Sequence, residues 1–372
     1  MGRNWVDPSV HLKRIFIESS CEDLDYTKEI IDRAALPVTV VEDRDHVSIV
    51  GGHYPANLTE GKRSLLLCRN EGEFVKDCPG TREYRCCGYR IINTGSGCPM
   101  DCVYCILQAY LNTPYLSFFV NIEDLFAELV RKMAAYDGPV MRIGTGEFTD
   151  SMALDRITGL SRRLVEFFGG QDKGVLELKT KSAYVDNLCD LDHNGRTIVA
   201  WSLNGQAIAR GQEIRAAPLD QRLTAARKCV DWGYSLAFHF DPIIVYPGWE
   251  SEYQNVIDKL FAVVPSERIK WISLGALRYI PSLKQIATSR FPHATIFDHE
   301  FIESMDGKKR YFRTLRVEMY KLLYDLLRRR CEERTCIYFC MESDEIWREV
   351  TGFEPAERGG ISAMLDDAVT AS

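Results

Sequence analysis

The chain has 372 residues, of which 46% are hydrophobic and 27% are charged, and this balance excludes disorder as the default state. A formal net charge of −7 excludes a basic surface that recruits nucleic acid as a whole, so binding to DNA needs a local patch. No apolar stretch approaches the roughly 20 residues of a membrane span, and the first residues lack the core of a signal peptide, so we expect no membrane partner and a cytoplasmic location.

The N-terminal part of the chain predicts a small α/β unit. Strands are predicted at 15–18, 37–41 and 64–68, and a helix at 26–35. From Arg69 to Gly88 the chain becomes polar and rich in turn residues, and this linker carries Cys78, Cys86 and Cys87. We predict a boundary near Arg85, so that residues 1–85 form the N-terminal unit with its cysteine-containing linker.

Strand-like and helix-like stretches alternate over residues 86–300. Strands are predicted at 90–93, 140–144, 175–180, 197–203, 235–240 and 269–274. Helices are predicted at 122–136, 154–168, 185–189, 219–232 and 249–263. Six such repeats predict an α/β fold whose parallel sheet curls into a partial (β/α)6 TIM-like barrel.

Residues 301–372 are predicted to form a helical C-terminal segment. An apolar stripe at helical spacing predicts an amphipathic helix over Tyr311–Arg330, packed on the barrel. The small and polar tail after Gly359 predicts disorder. Lys308–Arg310 and Arg328–Arg330 are candidate phosphate contacts, although such a run of charge is most often a solvated face.

A cysteine motif follows the first predicted barrel strand. The segment Cys98-Pro-Met-Asp-Cys102-Val-Tyr-Cys105 places three of the 13 cysteines on one loop. Thiolates are the usual ligands of iron–sulfur clusters, and three of them leave one iron of a cubane open for another ligand. The alternative is a structural zinc site completed by Cys86 or Cys87, but the chain offers only one C-x-x-C knuckle for it.

Polar residues also stand at the C-terminal ends of the predicted strands, where barrel enzymes place their sites. They are Glu147, Thr149, Lys181, Ser202, Asn204, His239, Asp241 and Arg278. Buried barrel strands are otherwise apolar, so each of these side chains is either a site residue or a structural group with a polar partner.

The C-x3-C-x2-C spacing, with Tyr104 before the last cysteine, resembles the radical S-adenosylmethionine (SAM) signature. Over most of its length the chain resembles the spore photoproduct lyase family. The resemblance lies in Gly97–Gln108, Pro114–Tyr115, Val120–Asn121, Thr180–Lys181, Val185–Asp186, His193–Gly195, Ser202–Asn204, Pro218–Asp220, Pro242–Ile243 and Gly248–Glu250. It implies an enzyme that reverses a thymine lesion in DNA with SAM and a [4Fe-4S] cluster, reduced by a donor such as flavodoxin or ferredoxin.

The resemblance also implies roles for individual residues. Those expected to bind SAM are Tyr104, Gly144, Gly146, Glu147, Thr149, Lys181, Ser202 and Asn204. Lys181 would pair with the SAM carboxylate, and Thr149 and Ser202 would bind its amino acid or ribose. Gly144-Thr-Gly-Glu147 resembles the glycine-rich loop with which many radical SAM enzymes bind the SAM amino group.

The sequence departs from the lyase pattern at the expected hydrogen donor. The lyases carry a donor cysteine on the loop after the second barrel strand, where this chain has Glu147, and a tyrosine where it has Ile106. A carboxylic acid lacks the weak S–H bond of a thiol, so one hypothesis is that a cysteine such as Cys87 or Cys340 replaces the donor. The alternatives for the six extra cysteines are packing as small apolar residues or a second metal site, and the other four are Cys78, Cys86, Cys331 and Cys336.

The substrate is predicted to lie near Tyr104, Glu147, His239, Asp241 and Arg278. Damaged DNA would place phosphates on Arg278 and on the C-terminal basic residues, and a related substrate with the same radical chemistry stays open. A different class of protein would be a noncatalytic iron–sulfur or zinc protein that binds nucleic acid or transfers electrons. Residues suited to SAM at successive strand ends favour the enzyme.

Overall fold

The computed structural model describes residues 5–80 and 83–370. Residues 1–4, which belong to the segment predicted not to form a signal peptide, lie outside the described residues. The strands are β1 Arg14–Glu18, β2 Val38–Val41, β3 Ser64–Cys68, β4 Val75–Asp77, β5 Arg90–Ile92, β6 Gly95–Ser96, β7 Asp101–Cys102, β8 Leu116–Phe119, β9 Met141–Gly144, β10 Gly174–Thr180, β11 Thr197–Ser202, β12 Glu213–Ile214, β13 Ser235–Ile243, β14 Ile269–Ala276, β15 Arg278–Tyr279, β16 Phe301–Glu303, β17 Lys309–Tyr311 and β18 Cys336–Phe339.

The α-helices are α1 Asp25–Ala34, α2 Leu58–Gly61, α3 Leu107–Tyr110, α4 Ile122–Ala134, α5 Asp155–Thr158, α6 Leu160–Gly169, α7 Gln206–Gly211, α8 Leu219–Asp231, α9 Trp249–Val263, α10 Pro281–Arg290, α11 Arg313–Arg328, α12 Asp344–Thr351 and α13 Gly360–Thr370. None of the helices in the described part of the chain combines the length and the apolar composition that a membrane span requires.

The N-terminal sheet has five strands in the order β2-β1-β3-β8-β6. The predicted N-terminal unit, residues 1–85, supplies β1, β2 and β3, whereas β6 and β8 come from the part predicted as barrel. Ile15 and Ile17 of β1 are buried beside Leu65 and Leu67 of β3, because alternate residues of a strand face the same side. Strands β6 and β8 come from either side of the cysteine loop, so this loop is anchored in the N-terminal sheet at both of its ends.

The larger sheet has the strand order β18-β14-β13-β11-β10-β9-β5-β4 and curls into a half-barrel. Only β4, at one edge, is antiparallel to its neighbour. Trp201, Phe238 and Ile272 stand at matching positions of three neighbouring strands and are fully buried, so large apolar side chains cover the face of the sheet opposite to that of His239 and Ser273. The predicted α/β partial barrel is therefore confirmed.

The six predicted barrel strands all form, and β18 adds a seventh parallel strand beside β14 that the sequence did not predict. The helix predicted over residues 154–168 is divided into α5 and α6 at Gly159, whose φ is +62°. The segment predicted as a helix at 185–189 is a single 3-10 turn at Asp186–Leu188.

The prediction of a disordered tail after Gly359 is wrong for the described residues. Helix α13 buries Ile361, Leu365 and Ala368, which recur every three or four residues and face β14 and β18. Asp366 of the same helix accepts a hydrogen bond of 2.7 Å from Arg142 in the barrel. Its residues are small but form a continuous apolar stripe, which is sufficient to bind the helix to the sheet.

Candidate functional site

The C-terminal ends of the parallel strands meet at one edge of the barrel sheet, and they carry the predicted polar residues. Glu147 follows β9, Lys181 follows β10, Ser202 ends β11, Asp241 lies near the end of β13 and Arg278 follows β14. Parallel strands present their carboxyl ends on one side, so residues distant in the sequence share one edge. The structure thus brings the predicted strand-end residues to one edge of the sheet, beside the cysteine loop.

The three motif cysteines lie on the loop between β6 and α3, in which Cys102 ends the two-residue strand β7. Cys98 and Cys105 line one pocket together with Lys62, and Cys102 is buried. Burial raises the pKa of the Cys102 thiol to about 12, and the positive charge of Lys181 opposes this shift. In such surroundings a thiol that binds no metal is protonated, and binding to a metal removes its proton.

The described residues contain no group of three His, Cys, Asp or Glu side chains arranged to hold one metal ion. This finding gives no support to the zinc alternative, which needs four donors converging on a single ion. Cys86 and Cys87, its candidate fourth ligands, line a different pocket from Cys98 and Cys105. A cubane instead binds each thiolate to a separate iron, so three neighbouring thiols on one loop suit it without converging on a point.

A buried ionic cluster fixes the outer side of the cysteine loop. Lys62 Nζ lies 2.9 Å from Asp101 Oδ1, and Arg290 Nη2 lies 2.8 Å from Asp101 Oδ2. Burial raises the pKa of Asp101, but the two cations outweigh that effect and hold it below its usual value. Gln108 also donates a hydrogen bond of 3.0 Å to the backbone carbonyl of Cys102.

The inner side of the loop is fixed by a second buried group. The Tyr104 hydroxyl donates to Glu213, and Glu213 in turn forms an ion pair with Arg222 whose two side chains are wholly buried. Arg222 Nη1 donates a hydrogen bond of 2.8 Å to the backbone carbonyl of Ser202. Lys181 Nζ lies 5.7 Å from the centre of the Tyr104 ring, so two of the predicted SAM residues are neighbours.

Asp150 shapes the end of β10, and the sequence did not single it out. Its carboxylate accepts hydrogen bonds of 2.6 Å from the Thr180 hydroxyl and 2.8 Å from the backbone N–H of Lys181. Thr149, which precedes it, is partly exposed. The loop after β9 therefore fixes the backbone at Lys181 while leaving Thr149 accessible.

The glycine-rich loop after β9 lies close against β10. A Cβ at Gly144 would lie 2.5 Å from the carbonyl oxygen of Glu177, and one at Gly146 would lie 3.0 Å from Cβ of Lys179. Lys179 Nζ is 3.8 Å from Glu147 Oε2. Burial lowers the pKa of Lys179, but the charges of Glu147 and Glu177 outweigh it and raise this pKa.

Sequence reasoning missed Lys179, yet a signal for it was present. Glu177 and Lys179 alternate in β10, whose other residues are almost all apolar, and Lys181 continues the alternation directly after the strand. Because alternate residues of a strand face one side, this pattern indicates a row of charges pointing to the same side of the barrel sheet.

An open pocket of about 230 Å³ lies beside the cysteine loop, lined among others by Tyr104, Glu147, Asp241, Arg278 and Lys308. Two nitrogens of Arg278 each lie 3.1 Å from an oxygen of Asp241, in a bidentate pair. Carboxylate and guanidinium groups thus face the pocket together, which suits a polar substrate with both donors and acceptors.

The first predicted basic run, Lys308–Arg310, does not form a surface patch. Arg310 is buried and lies 2.8 Å from Asp306, and Lys308 faces the pocket. Lys309 remains partly exposed beside Glu303. In the second run, Arg328 donates a hydrogen bond of 3.0 Å to the carbonyl of Thr335, and Arg329 and Arg330 are exposed.

Of the two cysteines predicted as hydrogen donors, Cys340 contacts a residue of this pocket. Arg278 Nη2 lies 3.3 Å from Cys340 Sγ. Cys87 and Cys340 line a neighbouring pocket. Cys336 is buried within β18 and Cys331 is partly buried after α11, so both pack as small apolar side chains.

His239 and Asn204 use their polar atoms within the protein. His239 Nε2 lies 2.7 Å from Glu177 Oε1 and Nδ1 lies 3.0 Å from the Ser273 hydroxyl, inside the barrel. Asn204 accepts a hydrogen bond of 2.6 Å from Tyr253 and donates one of 3.0 Å to a backbone carbonyl. Of the predicted substrate residues, His239 is thus the one that the structure places away from the open pocket.

A family model described as spore photoproduct lyase matches residues 83–343. The spore photoproduct lyase of Bacillus subtilis is 29% identical over 232 residues, which span 62% of this chain and 66% of that protein. That of Clostridium acetobutylicum is 22% identical over 322 residues, which span 84% of this chain and 90% of that one.

Solved structures of spore photoproduct lyases share the fold. A double mutant with bound AdoMet and dinucleoside spore photoproduct has a TM-score of 0.80 at 23% identity, covering 91% of this chain and 100% of that one. A complex with dinucleoside spore photoproduct has a TM-score of 0.78 at 23% identity, covering 88% of this chain and 98% of that one.

Proposed function

This chain belongs to the spore photoproduct lyase family within the radical SAM superfamily, and we propose that it repairs a thymine photoproduct in DNA by radical chemistry. One observation carries the proposal: three neighbouring thiols, on a loop held from both sides by buried ion pairs, lie beside a charged pocket at the C-terminal edge of a partial barrel. This edge is where barrel enzymes hold their reacting groups.

Cys98, Cys102 and Cys105 would hold a [4Fe-4S] cluster, and SAM would fill the open iron. Bound together and reduced by flavodoxin, ferredoxin or a similar donor, the cluster and SAM would supply the radical chemistry that abstracts hydrogen from the substrate. The protein contributes a rigid loop, since Asp101 and Glu213 are each tied to buried cations. Rigid supports of this kind keep reacting atoms at a fixed distance.

Lys181 and Glu147 would bind the two charged ends of the SAM amino acid. The ammonium group of Lys181, beside Tyr104, is a compact cation that would pair with the SAM carboxylate. Ser202 and Thr149 would supply hydroxyl groups for hydrogen bonds to SAM. Lys179 Nζ lies 3.8 Å from Glu147 Oε2, which is longer than a strong hydrogen bond. The Glu147 carboxylate can therefore accept a stronger hydrogen bond from the SAM ammonium group.

Asp241 and Arg278 would recognise the lesion. A thymine ring presents an N–H donor and two carbonyl acceptors, and these match a carboxylate and a guanidinium group in one plane. Lys308 lines the same pocket and would neutralise a neighbouring phosphate. We expect the bases on either side to lie outside the pocket, along the open edge of the barrel.

Cys340 is the better candidate for returning a hydrogen atom to the product radical. Its sulfur lies 3.3 Å from Arg278, and Arg278 lines the proposed substrate pocket. Transfer breaks the S–H bond, forms a C–H bond on the thymine and leaves a sulfur-centred radical. Cys87 lines only the neighbouring pocket, among the other linker cysteines.

The test is anaerobic turnover of reconstituted, dithionite-reduced protein with SAM and dinucleoside spore photoproduct. We expect release of 5′-deoxyadenosine and conversion of the photoproduct to two thymine residues, measured by chromatography and mass spectrometry. Cys102→Ala should abolish both, together with the iron and the near-visible absorbance.

Two control substrates and two outcomes define the result. Undamaged thymidine dinucleotide and cyclobutane-dimer DNA show whether turnover depends on this lesion. Iron and SAM bound without any 5′-deoxyadenosine would contradict the enzyme and favour a noncatalytic iron–sulfur protein. Turnover with another substrate but not with the photoproduct would retain the radical enzyme and reject DNA repair.

A further inference from the structure

Tyr110, the last residue of helix α3, carries an aromatic ring that is exposed at the proposed substrate pocket. All 17 tyrosines of the chain lie among the described residues, and Tyr110 is the only exposed one, at 53%. It lines the same pocket as Asp241, Arg278 and Lys308. A single exposed apolar side chain is ordinary on a protein surface, so the position and the support of this ring decide its role.

Helix α3 is fixed on the side that carries Gln108, whose side chain is buried. Gln108 Nε2 donates a hydrogen bond of 3.0 Å to the carbonyl of Cys102, and Arg290 donates to the side-chain oxygen of Gln108. Tyr54 donates a hydrogen bond to the backbone carbonyl of Gln108. The helix is thus held in place while the Tyr110 ring stays exposed. A ring on such a rigid support loses little conformational entropy when it binds a ligand.

The face of this helix turn that carries Tyr110 is the face that borders the pocket. Ile106 lies one turn earlier, and its backbone carbonyl accepts a hydrogen bond of 3.2 Å from the N–H of Tyr110. Residues four apart in a helix share one face, and Ile106 lines the pocket as well. Cys105 of the cysteine motif is a further lining residue. The exposed ring therefore borders the same space as a proposed cluster ligand and the Asp241–Arg278 pair.

We propose that Tyr110 stacks on the nucleobase next to the lesion in the same DNA strand, an inference that rests on the proposed repair function. When Asp241 and Arg278 hold the lesion, the adjoining nucleotide leaves the pocket at its rim. Proteins hold single-stranded nucleic acid with aromatic rings that stack on bases and with cations that attract phosphates, and Lys308 supplies the cation here. Every base has a stacking face, so Tyr110 would favour a lesion within a strand over an isolated dinucleoside, whatever the neighbouring base.

The experiment compares two ligands of full-length, cluster-loaded protein with SAM and without a reductant, so that no turnover occurs. One ligand is dinucleoside spore photoproduct, which has no neighbouring base, and the other is a single-stranded oligonucleotide with the photoproduct at its centre. Calorimetry gives both dissociation constants. Tyr110→Ala should raise the constant of the oligonucleotide about 5- to 150-fold, because a stacked base is lost, and leave that of the dinucleoside unchanged. Tyr110→Phe retains the ring and should match the original chain.

A fluorescent base reports the stacking itself. With 2-aminopurine placed directly 5′ or 3′ of the photoproduct, the bound fluorescence at one of the two positions should be higher in Tyr110→Ala than in the original chain and in Tyr110→Phe. The matched control is Tyr136→Ala, which removes a partly exposed tyrosine whose ring lies 4.7 Å from the Arg90 guanidinium. Arg90 begins β5, so this ring lies at the strand ends opposite the site, and both constants and the fluorescence should stay unchanged.

Three outcomes would overturn the stacking role. An equal loss of affinity for both ligands in Tyr110→Ala would assign the ring to the lesion or to the shape of the pocket. Unchanged binding of both ligands would remove it from recognition altogether. In either case turnover of the photoproduct by the original chain would leave the proposed function standing. If the original chain binds neither ligand better than undamaged DNA, the proposed function fails, and this inference fails with it.

Discussion

The ammonium group of Lys62, at the end of helix α2, lies 2.9 Å from the carboxylate of Asp101 within the cysteine motif. Both side chains are almost completely buried, at 6% and 5% exposure. This ion pair therefore connects the N-terminal unit to the loop that carries the proposed cluster ligands. The unit holds this loop in place in addition to covering one side of the barrel.

Replacing Lys62 with Met is therefore expected to destabilise the chain and loosen the cluster. Removing Lys62 leaves the buried negative charge of Asp101 only partly neutralised. Breaking a buried pair in this way lowers the free energy of unfolding by about 3 kcal/mol. The measurements are urea unfolding of the metal-free protein and iron retained per chain after reconstitution and gel filtration. We expect a lower free energy of unfolding and less iron.

The control is Lys28→Met, which removes an exposed ion pair with Asp23 at 3.6 Å. Exposed pairs contribute about 0.5 kcal/mol or less, so this variant should match the original protein. If Lys62→Met behaves like Lys28→Met in both measurements, the buried pair does not support the loop.

Replacing Lys181 with Ala should weaken SAM binding without loss of the cluster. A hydrogen bond to a charged group contributes about 1.5–3 kcal/mol, which corresponds to a rise of about 10- to 100-fold in the dissociation constant. Calorimetry with the reconstituted protein gives the constant, and iron analysis confirms the cluster. Lys173→Ala, at an exposed position just before β10, is the matched control. An unchanged constant in Lys181→Ala would reject its assigned role.

Sequence periodicity was sufficient to predict the barrel because its strands are long and apolar, as in β11 and β14. It was insufficient for β18, since four residues after a charged segment do not distinguish a strand from a short helix. Cysteine spacing likewise predicted the loop on which the proposed cluster ligands lie. Ion pairs such as Lys62–Asp101 join residues that only the folded chain brings together, and no local pattern reports them.

Glu177 is expected to make stability depend on pH. Burial raises its pKa, but the charge of His239 and their hydrogen bond outweigh this and lower the pKa to about 2. The ionised group therefore stabilises the fold above its unfolded pKa of about 4.5 by roughly 3 kcal/mol, and this stabilisation is lost as the pH falls toward 2. Glu177→Gln should be less stable than the original chain at neutral pH.

Urea unfolding of the metal-free protein at several pH values measures this effect. The difference between Glu177→Gln and the original chain should shrink by about 2 kcal/mol between pH 7 and pH 3. Glu166→Gln changes a largely exposed carboxylate beside Arg162 and should show no such trend. A difference for Glu177→Gln that is constant with pH would mean that the carboxylate is not held ionised.

Arg278→Ala should weaken binding of photoproduct-containing DNA while SAM binding persists. If the guanidinium binds a phosphate, its removal should reduce the slope of log affinity against log salt by about 0.9 for a duplex. Fluorescence anisotropy over a salt series measures both the affinity and the slope. Arg334→Ala is the control, because Arg334 is exposed near the N-terminal end of β18, opposite the site.

A loss of affinity with an unchanged salt slope would assign Arg278 to the base rather than to a phosphate. Asp241→Asn separates these cases further, since it keeps the shape of the pair and removes its negative charge. We expect it to reduce discrimination between damaged and undamaged DNA. Equal affinities of Arg278→Ala and the original chain for damaged DNA would place the lesion elsewhere.

Cys340→Ala should separate the first half of the reaction from the second. Radical formation needs the cluster loop and SAM, which this change leaves intact, so 5′-deoxyadenosine release should continue. Return of a hydrogen atom needs the thiol, whose sulfur lies 3.3 Å from Arg278 at the pocket. In D2O the original enzyme should place deuterium from the exchangeable S–H on the repaired thymine, and Cys340→Ala should yield altered products without that label. Cys87→Ala should retain the label, and the reverse pattern would make Cys87 the donor.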